Sequence, residues 1–480
     1  MSPRKPSLRK ERAALALARA VSLPQRLTDI LVAPAIRLNR GEGLAEGLRY
    51  LREFDPSVFL VSGGDAEDVR WLHDTLEEQA NHPILFAADL ERGAGQQFEG
   101  MTPLPDAWAL GLLGPEAAYD AGFRTGCEAA KTGVRWVLGP VLDLHPQGPG
   151  IINSPIIAHR AFGSEPMRVI ETAGAWMKGL QDGGCFACAK HFPGHGATSR
   201  DSNTEVAIAE AMAAPHLQPF QDLLPNLPSI MVGHLEYPEL DPESRPSSRS
   251  PKVLDLLRRD WEYPGVVTTD RLRMTGYGDG PVELLAVESL AAGVDVLLDP
   301  PEPVLMAMSL NDAVERGDLD DEVVRRSAKR VAKLIADAKE APEVRPKPLM
   351  LGSGARRLLR PLAGGSPGRN YPRPGLALAL AATHDSVKFL KEWGVPVLST
   401  ANPVPSPLPE AILILWGASE GMGMPSLPGA WAEAIHRQHP TLYVAGSPDA
   451  AEAAPASARG FYLPGLSPAL LALLFAEGED

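Results

Sequence analysis

Short apolar runs alternate with amphipathic stretches from about residue 29 to residue 341. Each apolar run spans five or six residues, and the stretches between the runs have the spacing of amphipathic helices. Eight strands alternating with helices predict an α/β fold, and this length favours a (β/α)8 barrel of the TIM type over a doubly wound sheet. The predicted strands are Ile30–Pro34, Val58–Ser62, Ile84–Asp89, Val134–Gly139, Cys185–Lys190, Ile230–His234, Val266–Asp270 and Val294–Asp299.

Polar residues cluster where these predicted strands end. Asp89, His234 and Asp270 each close an apolar run, and Lys190 is followed directly by His191. The carboxyl ends of the strands form the catalytic face of such a barrel, so we expect these side chains to meet there. The predicted helices include Ala66–Ala80, Pro115–Thr132, Glu165–Asp182 and Ser250–Arg259, with Glu302–Arg316 and Asp321–Ala341 after the last strand.

The pattern divides the chain into four segments. An N-terminal extension (1–28) precedes the barrel (29–341), and a segment rich in Pro, Gly and Arg without clear periodicity (342–374) predicts a linker. The remainder (375–480) predicts a smaller α/β domain with a parallel sheet. Its predicted strands are Leu376–Ala381, Val395–Leu398, Ile412–Trp416 and Leu442–Ala445, and its predicted helices are Asp385–Trp393, Gly429–Gln438 and Ser467–Ala476.

Charge and hydropathy indicate which partners and which cellular location to expect. A net charge of −14 over 480 residues argues against a nucleic-acid partner and against attraction to anionic lipid. The basic start of the chain is followed by apolar residues that Arg19 interrupts, which predicts an amphipathic helix rather than a signal peptide. No apolar run reaches the roughly eighteen residues of a membrane span. We therefore expect a cytoplasmic protein without a membrane partner; the pattern does not address the oligomeric state.

Three cysteines in a chain of this length form no disulfide framework, which fits a reducing compartment. Cys185 and Cys188 have the spacing of a metal-binding pair, but they lie on a predicted strand. Residues three apart on a strand face opposite sides. We expect both to be core residues and predict no metal site.

Four motifs together resemble glycoside hydrolase family 3, and most closely its β-N-acetylhexosaminidases. They are DLERG from residue 89, NSPIIAHRAFGSEP from residue 153, AKHFPGHG from residue 189 and VVTTDRLRM from residue 266. The resemblance covers about residues 30 to 341. It implies a retaining β-glycosidase for terminal β-linked N-acetylglucosamine or a similar sugar, acting in the recycling of cell-wall fragments without a cofactor or a metal.

The resemblance also assigns roles to individual residues. Asp270 matches the nucleophile, a carboxylate that attacks an oxocarbenium-like centre to form a glycosyl-enzyme intermediate. His234 matches a position near the pocket floor, where a purely structural role is equally open. Carboxylate, ammonium and guanidinium groups all form strong hydrogen bonds with sugar oxygens. The resemblance implies substrate contacts for Asp89, Arg160, Lys190, His191 and Met274.

The position of the catalytic acid departs from the family pattern. The family motif continues to Asp-Ser-His, in which the His protonates the leaving oxygen and the Asp orients it. Here Asp201 and Ser202 are kept, but the third residue is Asn203, which has no proton to transfer near pH 7. The nearest replacements are Glu205, His195 and Asp201 itself. If none of them acts, the enzyme is slow, is restricted to good leaving groups, or only binds sugar.

The motif that begins at Asp89 is altered as well. Leu90, Arg92, Ala94 and Gln97 replace Gln, Gly and two Arg of the family pattern, and the last of these Arg contacts sugar in relatives. Three hypotheses follow: a retaining hydrolase, a catalytically impaired or inactive sugar-binding protein, and, with least support, a glycoside phosphorylase.

Overall fold

The computed structural model describes residues 24–38, 42–80, 82–145, 154 and 156–346. It also describes the strand segments 360–361, 376–380, 397–399, 412–416, 442–445 and 459–462. The N-terminal residues 1–23 and the predicted helices of the C-terminal segment lie outside the described residues.

The first part of the chain forms a closed parallel barrel. Its strands are β1 (Val32–Ala33 and Ala35–Arg37), β2 (Val58–Ser62), β3 (Leu85–Ala88), β4 (Val134–Val137), β5 (Phe186–Phe192), β6 (Ser229–Val232), β7 (Val266–Arg271) and β8 (Val296–Leu298). Each strand pairs in parallel with its neighbours in chain order. The ring closes at Pro34, because the residues before it pair with β8 and those after it pair with β2. The predicted barrel is confirmed.

The strands are almost completely buried, as expected for a parallel sheet covered by helices. The principal helices are Glu42–Glu53, Ala66–Gln79, Ala107–Leu113, Pro115–Lys131, Pro166–Asp182, Ala213–Leu223, Pro251–Asp255, Val282–Ala292, Pro303–Arg316 and Asp321–Glu340. The predicted helices agree with these bounds within one or two residues except near residue 256. There the helix that starts at Pro251 changes to π-helical geometry over Leu256–Asp260.

Strand bounds differ from the predicted ones mainly at the catalytic face. The fifth strand was predicted to end at Lys190, but β5 continues through Phe192. The extra residues remain extended because the backbone N–H of His191 donates to Asp143 Oδ2 and the Gly233 N–H donates to the Phe192 carbonyl. Strand β5 therefore carries both Lys190 and His191 to the carboxyl end of the barrel.

The three cysteines are buried and unbridged. Burial raises the pKa of Cys185 and of Cys188 to about 12, so both thiols are protonated at neutral pH. The Cys185 thiol donates to the Gly126 carbonyl at 3.3 Å. These contacts agree with the prediction that the two residues belong to the core.

The C-terminal segment contains a second, mostly parallel sheet. Its strands follow the order Arg360–Pro361, Arg459–Tyr462, Leu442–Ala445, Ile412–Trp416, Leu376–Leu380 and Val397–Ser399. Four of them match predicted strands, whereas the first two in this order were not predicted. The Arg360–Pro361 strand lies within the predicted linker and pairs antiparallel with Arg459–Tyr462. Among the described helices of the whole chain, none has the length and apolarity needed to cross a bilayer.

Candidate active site

A cavity of about 270 Å³ opens at the carboxyl ends of the barrel strands. Its wall is mainly polar and comes from residues far apart in sequence. Seven of the predicted site residues line it: Asp89, Arg160, Lys190, His191, His195, Asp270 and Met274. Asp201, Glu205 and His234 are not part of this lining, whereas Asn203 is.

Five charged side chains form an alternating series along the cavity wall, here named the ion-pair series: Arg271, Asp89, Lys190, Glu91 and Arg160. Lys190 Nζ lies 2.8 Å from Asp89 Oδ1 and 2.7 Å from Glu91 Oε1. Arg271 Nη2 lies 2.8 Å from Asp89 Oδ2. Arg160 binds Glu91 in a bidentate manner, through Nε at 2.9 Å and Nη2 at 2.8 Å. Both carboxylates are thus held between two cations.

This arrangement keeps the carboxylates ionised although they are shielded from water. Burial opposes the charged form of Glu91, but the charges of Arg160 and Lys190 outweigh it and hold its pKa well below the usual range. Lys190 and Arg271 likewise lower the pKa of Asp89 against the effect of burial. Because its ammonium faces both carboxylates, the pKa of Lys190 is raised despite burial. The series therefore presents fixed charges to a ligand.

His191 is oriented by a buried carboxylate. Asp143 is fully buried, and its Oδ2 lies 2.6 Å from His191 Nδ1. Its Oδ1 accepts the backbone N–H of His195. Burial opposes ionisation of Asp143, but the two histidines hold its pKa below the usual range. The carboxylate favours the tautomer with a proton on Nδ1 and leaves Nε2 next to Arg160 Nη2, at 3.4 Å.

The loop after β5 is packed tightly against the loop after β4. A Cβ atom at Gly196 would lie 2.0 Å from the Leu144 carbonyl oxygen, so no larger residue fits there. Beside it, His195 is buried and its Nε2 lies 2.9 Å from Ser202 Oγ. Burial, with a smaller contribution from the neighbouring His191, lowers the pKa of His195 to about 4. At neutral pH this ring is uncharged and holds the loop in place.

Asp270 is the penultimate residue of β7 and lines the cavity. Its Oδ1 accepts the backbone N–H of Arg271 at 2.8 Å. Burial raises the pKa of Asp270, but electrostatic interactions with His191 and His234 and the backbone N–H of Arg271 more than offset this effect and keep it below the usual range. An ionised carboxylate at this position has the charge that nucleophilic attack requires.

His234 lies behind the end of β7. It is fully buried, with Nε2 3.1 Å from the Arg271 carbonyl oxygen and Nδ1 2.8 Å from Ser248 Oγ. The first bond connects the residues after β6 to the end of β7, and the second connects them to the turn Ser247–Arg249. Of the two roles considered from the sequence, this geometry fits the structural one.

The Asp201–Asn203 turn brings an amide to the cavity. Both the backbone N–H and the side-chain Nδ2 of Asn203 donate to Asp201 Oδ1, at 2.8 and 2.7 Å. Glu205 is half exposed outside the cavity and pairs with Arg200 at 3.1 Å. The structure thus brings Asn203, rather than Asp201 or Glu205, to the site.

Several residues of the site were not recognised as site residues from the sequence, among them Glu91, Asp143 and Arg271. Glu91 follows Asp89 by two residues, Asp143 comes shortly after β4, and Arg271 follows Asp270 directly. Each is a charged residue just beyond an apolar run, which is the signal that identified the others. Among the described residues, no group of three or more His, Cys, Asp or Glu side chains could hold a metal ion.

A parallel barrel with charged residues at the carboxyl ends of its strands can host many chemistries, so the class is taken from sequence comparison. Residues 64–334 match the profile of the glycosyl hydrolase family 3 N terminal domain. The chain belongs to glycosyl hydrolase family 3. The resemblance noted in the sequence is confirmed, and the chain is a glycoside hydrolase by family.

Two relatives illustrate the similarity. A β-hexosaminidase of Alkalilimnicola ehrlichii is 34% identical over 247 residues, which are 48% of this chain and 69% of that protein. A β-hexosaminidase of Idiomarina loihiensis is 32% identical over 253 residues, 50% of this chain and 74% of that protein.

Solved structures share the fold over nearly the whole chain. A family 3 β-N-acetylglucosaminidase from Paenibacillus sp. has a TM-score of 0.75 at 22% identity and covers 94% of this chain and 96% of its own. A β-glucoside phosphorylase has a TM-score of 0.79 at 19% identity, with coverage of 99% and 96%. At such identities the likeness concerns the fold alone.

Proposed function

We propose that this chain is a retaining β-glycosidase that releases terminal β-linked N-acetylglucosamine or a similar sugar. The observation that carries the proposal is an ionised Asp270 at the end of β7, in a cavity whose wall is rich in hydrogen-bonding groups. The names of the β-hexosaminidase relatives support the choice of sugar. We further propose a cytoplasmic location, the recycling of cell-wall fragments, and the domain bounds derived from the sequence.

In the proposed reaction Asp270 attacks the anomeric carbon as the leaving oxygen departs, and water later hydrolyses the glycosyl ester. The ion-pair series, with His191, holds the sugar ring. Because Lys190 and Arg271 already occupy both oxygens of Asp89, that carboxylate accepts sugar hydroxyls only through its remaining lone pairs.

No strong general acid faces the cavity among the described residues. Asn203 can donate a hydrogen bond to the leaving oxygen, but it transfers no proton. Glu205 does not line the cavity and pairs with Arg200, and a His195 with a pKa of about 4 is neutral at neutral pH. General acid catalysis is typically worth about 10²–10⁴-fold. We therefore propose a preference for aglycones that leave readily as anions.

The test is a series of aryl β-N-acetylglucosaminides whose phenols differ in pKa. We expect kcat/KM to fall steeply as the phenol pKa rises, because the leaving oxygen receives no proton in the transition state. Asp270→Asn should abolish turnover of every member, whereas Asp222→Asn, an exposed carboxylate on the helix Ala213–Leu223, should leave it unchanged. A flat dependence on phenol pKa would reveal an acid that the structure does not identify.

The same assay addresses the alternative of an inactive sugar-binding protein. Binding of N-acetylglucosamine without turnover of any aryl glycoside would favour it. Sugar 1-phosphate appearing only when phosphate is added would favour the phosphorylase alternative.

A further inference from the structure

The cavity carries more positive than negative side chains. Its lining includes four cations, Arg92, Arg160, Lys190 and Arg271, and three carboxylates, Asp89, Glu91 and Asp270. The ion-pair series accounts for all of them except Arg92 and Asp270. Of the lining histidines, His159 and His195 add no positive charge, since burial lowers the pKa of each to about 4 and leaves the rings neutral.

Arg92 has no counter-ion within the described part of the chain. Its neighbour Glu91 pairs with Arg160 and Lys190 instead. The charge of Arg92 acts on the Asp106 carboxyl without forming an ion pair with it. Burial raises the pKa of Asp106 to about 7, so near neutral pH this carboxyl is protonated for much of the time and is an incomplete counter-ion.

The backbone that carries Arg92 is held on both sides. Its N–H donates to Gln96 Oε1 at 2.8 Å, and its carbonyl accepts the Leu104 N–H at 2.9 Å. A Cβ atom at Gly95 would lie 2.4 Å from the Pro103 backbone nitrogen, so this loop is closely packed. The loop therefore holds the backbone of Arg92 in place, and its guanidinium lines the cavity with donors suited to an anion.

We propose that Arg92 makes the catalytic cavity an anion-binding site and that the ligands of this site carry a carboxylate or a phosphate group. Gln96, Gln97 and the neutral His159 line the same cavity and offer further hydrogen bonds to such a group. The anion has two sources: a substituent on the glycoside itself, or a free anion that takes the place of water. The assignment to glycosides rests on the proposed function, whereas the anion site rests on Arg92 alone.

A free anion would also suit a site without a general base. An oxygen of phosphate dianion would attack the anomeric carbon of the glycosyl ester, forming a new C–O bond. The bond to Asp270 would break, and its electron pair would return to the carboxylate. No proton has to be removed from this nucleophile, whereas water must lose one.

The test compares the full chain with Arg92→Gln, Arg92→Lys and Arg316→Gln. Arg316 is an exposed residue that pairs with Asp318, so its variant controls for loss of one positive charge elsewhere. Binding of inorganic phosphate is measured first by calorimetry, because this probe contains no sugar. Two non-hydrolysable thio-linked β-N-acetylglucosaminides, one with a neutral and one with a carboxylate-bearing aglycone, are measured next.

We expect Arg92→Gln to weaken phosphate binding about 10–100-fold, the usual worth of a hydrogen bond to a charged group. Arg92→Lys should keep most of the phosphate affinity because the positive charge remains, and Arg316→Gln should bind phosphate as tightly as the unaltered chain does. If the anion is a substituent, the carboxylate thioglycoside binds more tightly than the neutral one and phosphate competes with it. If the anion is free, the two thioglycosides bind alike and phosphate yields sugar 1-phosphate from an aryl glycoside.

Equal phosphate affinity in Arg92→Gln and the unaltered chain would overturn the proposal. Phosphate binding that depends on Arg92, with neither thioglycoside bound and no aryl glycoside cleaved, would keep the anion site and refute the proposed sugar. The two failures are therefore distinguishable.

Discussion

Replacing Glu91 with Gln removes the central negative charge of the ion-pair series while keeping the shape of the side chain. Glu91 is nine-tenths buried and accepts from Arg160 Nε, Arg160 Nη2 and Lys190 Nζ, at 2.9, 2.8 and 2.7 Å. After the substitution, Asp89 is the one carboxylate of the series that remains for three cations. We expect both the stability of the barrel and the affinity for substrate to fall.

The magnitude follows from the burial of the partners. Removing one member of a buried ion pair typically costs about 3–5 kcal/mol, because the other charge stays buried without compensation. Arg160 is 23% exposed and can turn partly toward water, and the Gln carbonyl still accepts one of the hydrogen bonds. We therefore expect a loss of about 2–3 kcal/mol in the free energy of unfolding, below the full range for a buried pair.

The effect should depend on pH with a definite sign. The pKa of Glu91 in the folded protein lies well below its ordinary value of 4.5, so the folded state binds this proton more weakly than the unfolded chain does. The stabilisation is complete above pH 4.5 and is lost as the pH falls through the folded pKa. The difference between Glu91→Gln and the unaltered chain should therefore shrink on acidification.

Urea unfolding followed by circular dichroism at neutral and acidic pH measures this difference. Glu53→Gln is the matched control, because Glu53 forms an exposed pair with Arg49 at 3.1 Å and such pairs contribute at most about 1 kcal/mol. A Glu91→Gln variant as stable as the control at neutral pH would refute the reasoning. So would a loss that persists undiminished after acidification, since it would not come from the carboxylate charge.

Three further predictions concern His195, Asn203 and the cysteines. Because the pKa of His195 falls from 6.5 to about 4 on folding, its neutral form contributes stability above pH 6.5 that is lost toward pH 4. In urea unfolding, the free energy of unfolding of His195→Gln should change by about 3 kcal/mol less over this pH range than that of the unaltered chain. The same change in both proteins would contradict the assignment. Asn203→His would place an imidazole next to Asp201. It should raise kcat/KM by about 10²-fold for aryl glycosides with poor leaving groups and much less for aryl glycosides with good leaving groups. Equal gains for the two kinds of substrate would exclude an acid role. All three thiols, Cys127, Cys185 and Cys188, are buried, so a thiol reagent should label none in the native protein and three after unfolding; rapid native labelling would contradict the packing.

Much of the barrel was predictable because its signals are local. The apolar runs, the turns and the helical spacing repeat eight times, and each strand–helix unit has its own pattern in a window of about thirty residues. Of the residues expected at one site, Asp89, Lys190, His191 and Asp270 line one cavity, whereas His234 does not. They do so because parallel strands of a closed barrel end on the same face.

The ends of strands and helices and the partners of side chains were harder to predict from the sequence. The strand Arg459–Tyr462 and the π-helical segment Leu256–Asp260 were not predicted; the strand pairs with Leu442–Ala445, and Arg258 in the π-helical segment bonds to Gly293 and Asp295. Glu205 was a candidate acid by its carboxylate chemistry and its place in the loop, yet it does not line the cavity and pairs with Arg200. Whether a loop side chain faces a site depends on backbone angles that the residue pattern does not specify.

The sequence by itself determined the family, the barrel and the loss of the histidine at position 203. Only the tertiary structure decided which charges are compensated. Lys190 lies 101 residues from Asp89 and Arg271 lies 182 residues from it, yet both bind that carboxylate. Ion pairing depends on separations of a few ångströms between side-chain atoms, and such separations arise only when the strands close into a barrel. The same closure leaves Arg92 without a counter-ion in the described cavity wall, which no local pattern could have indicated.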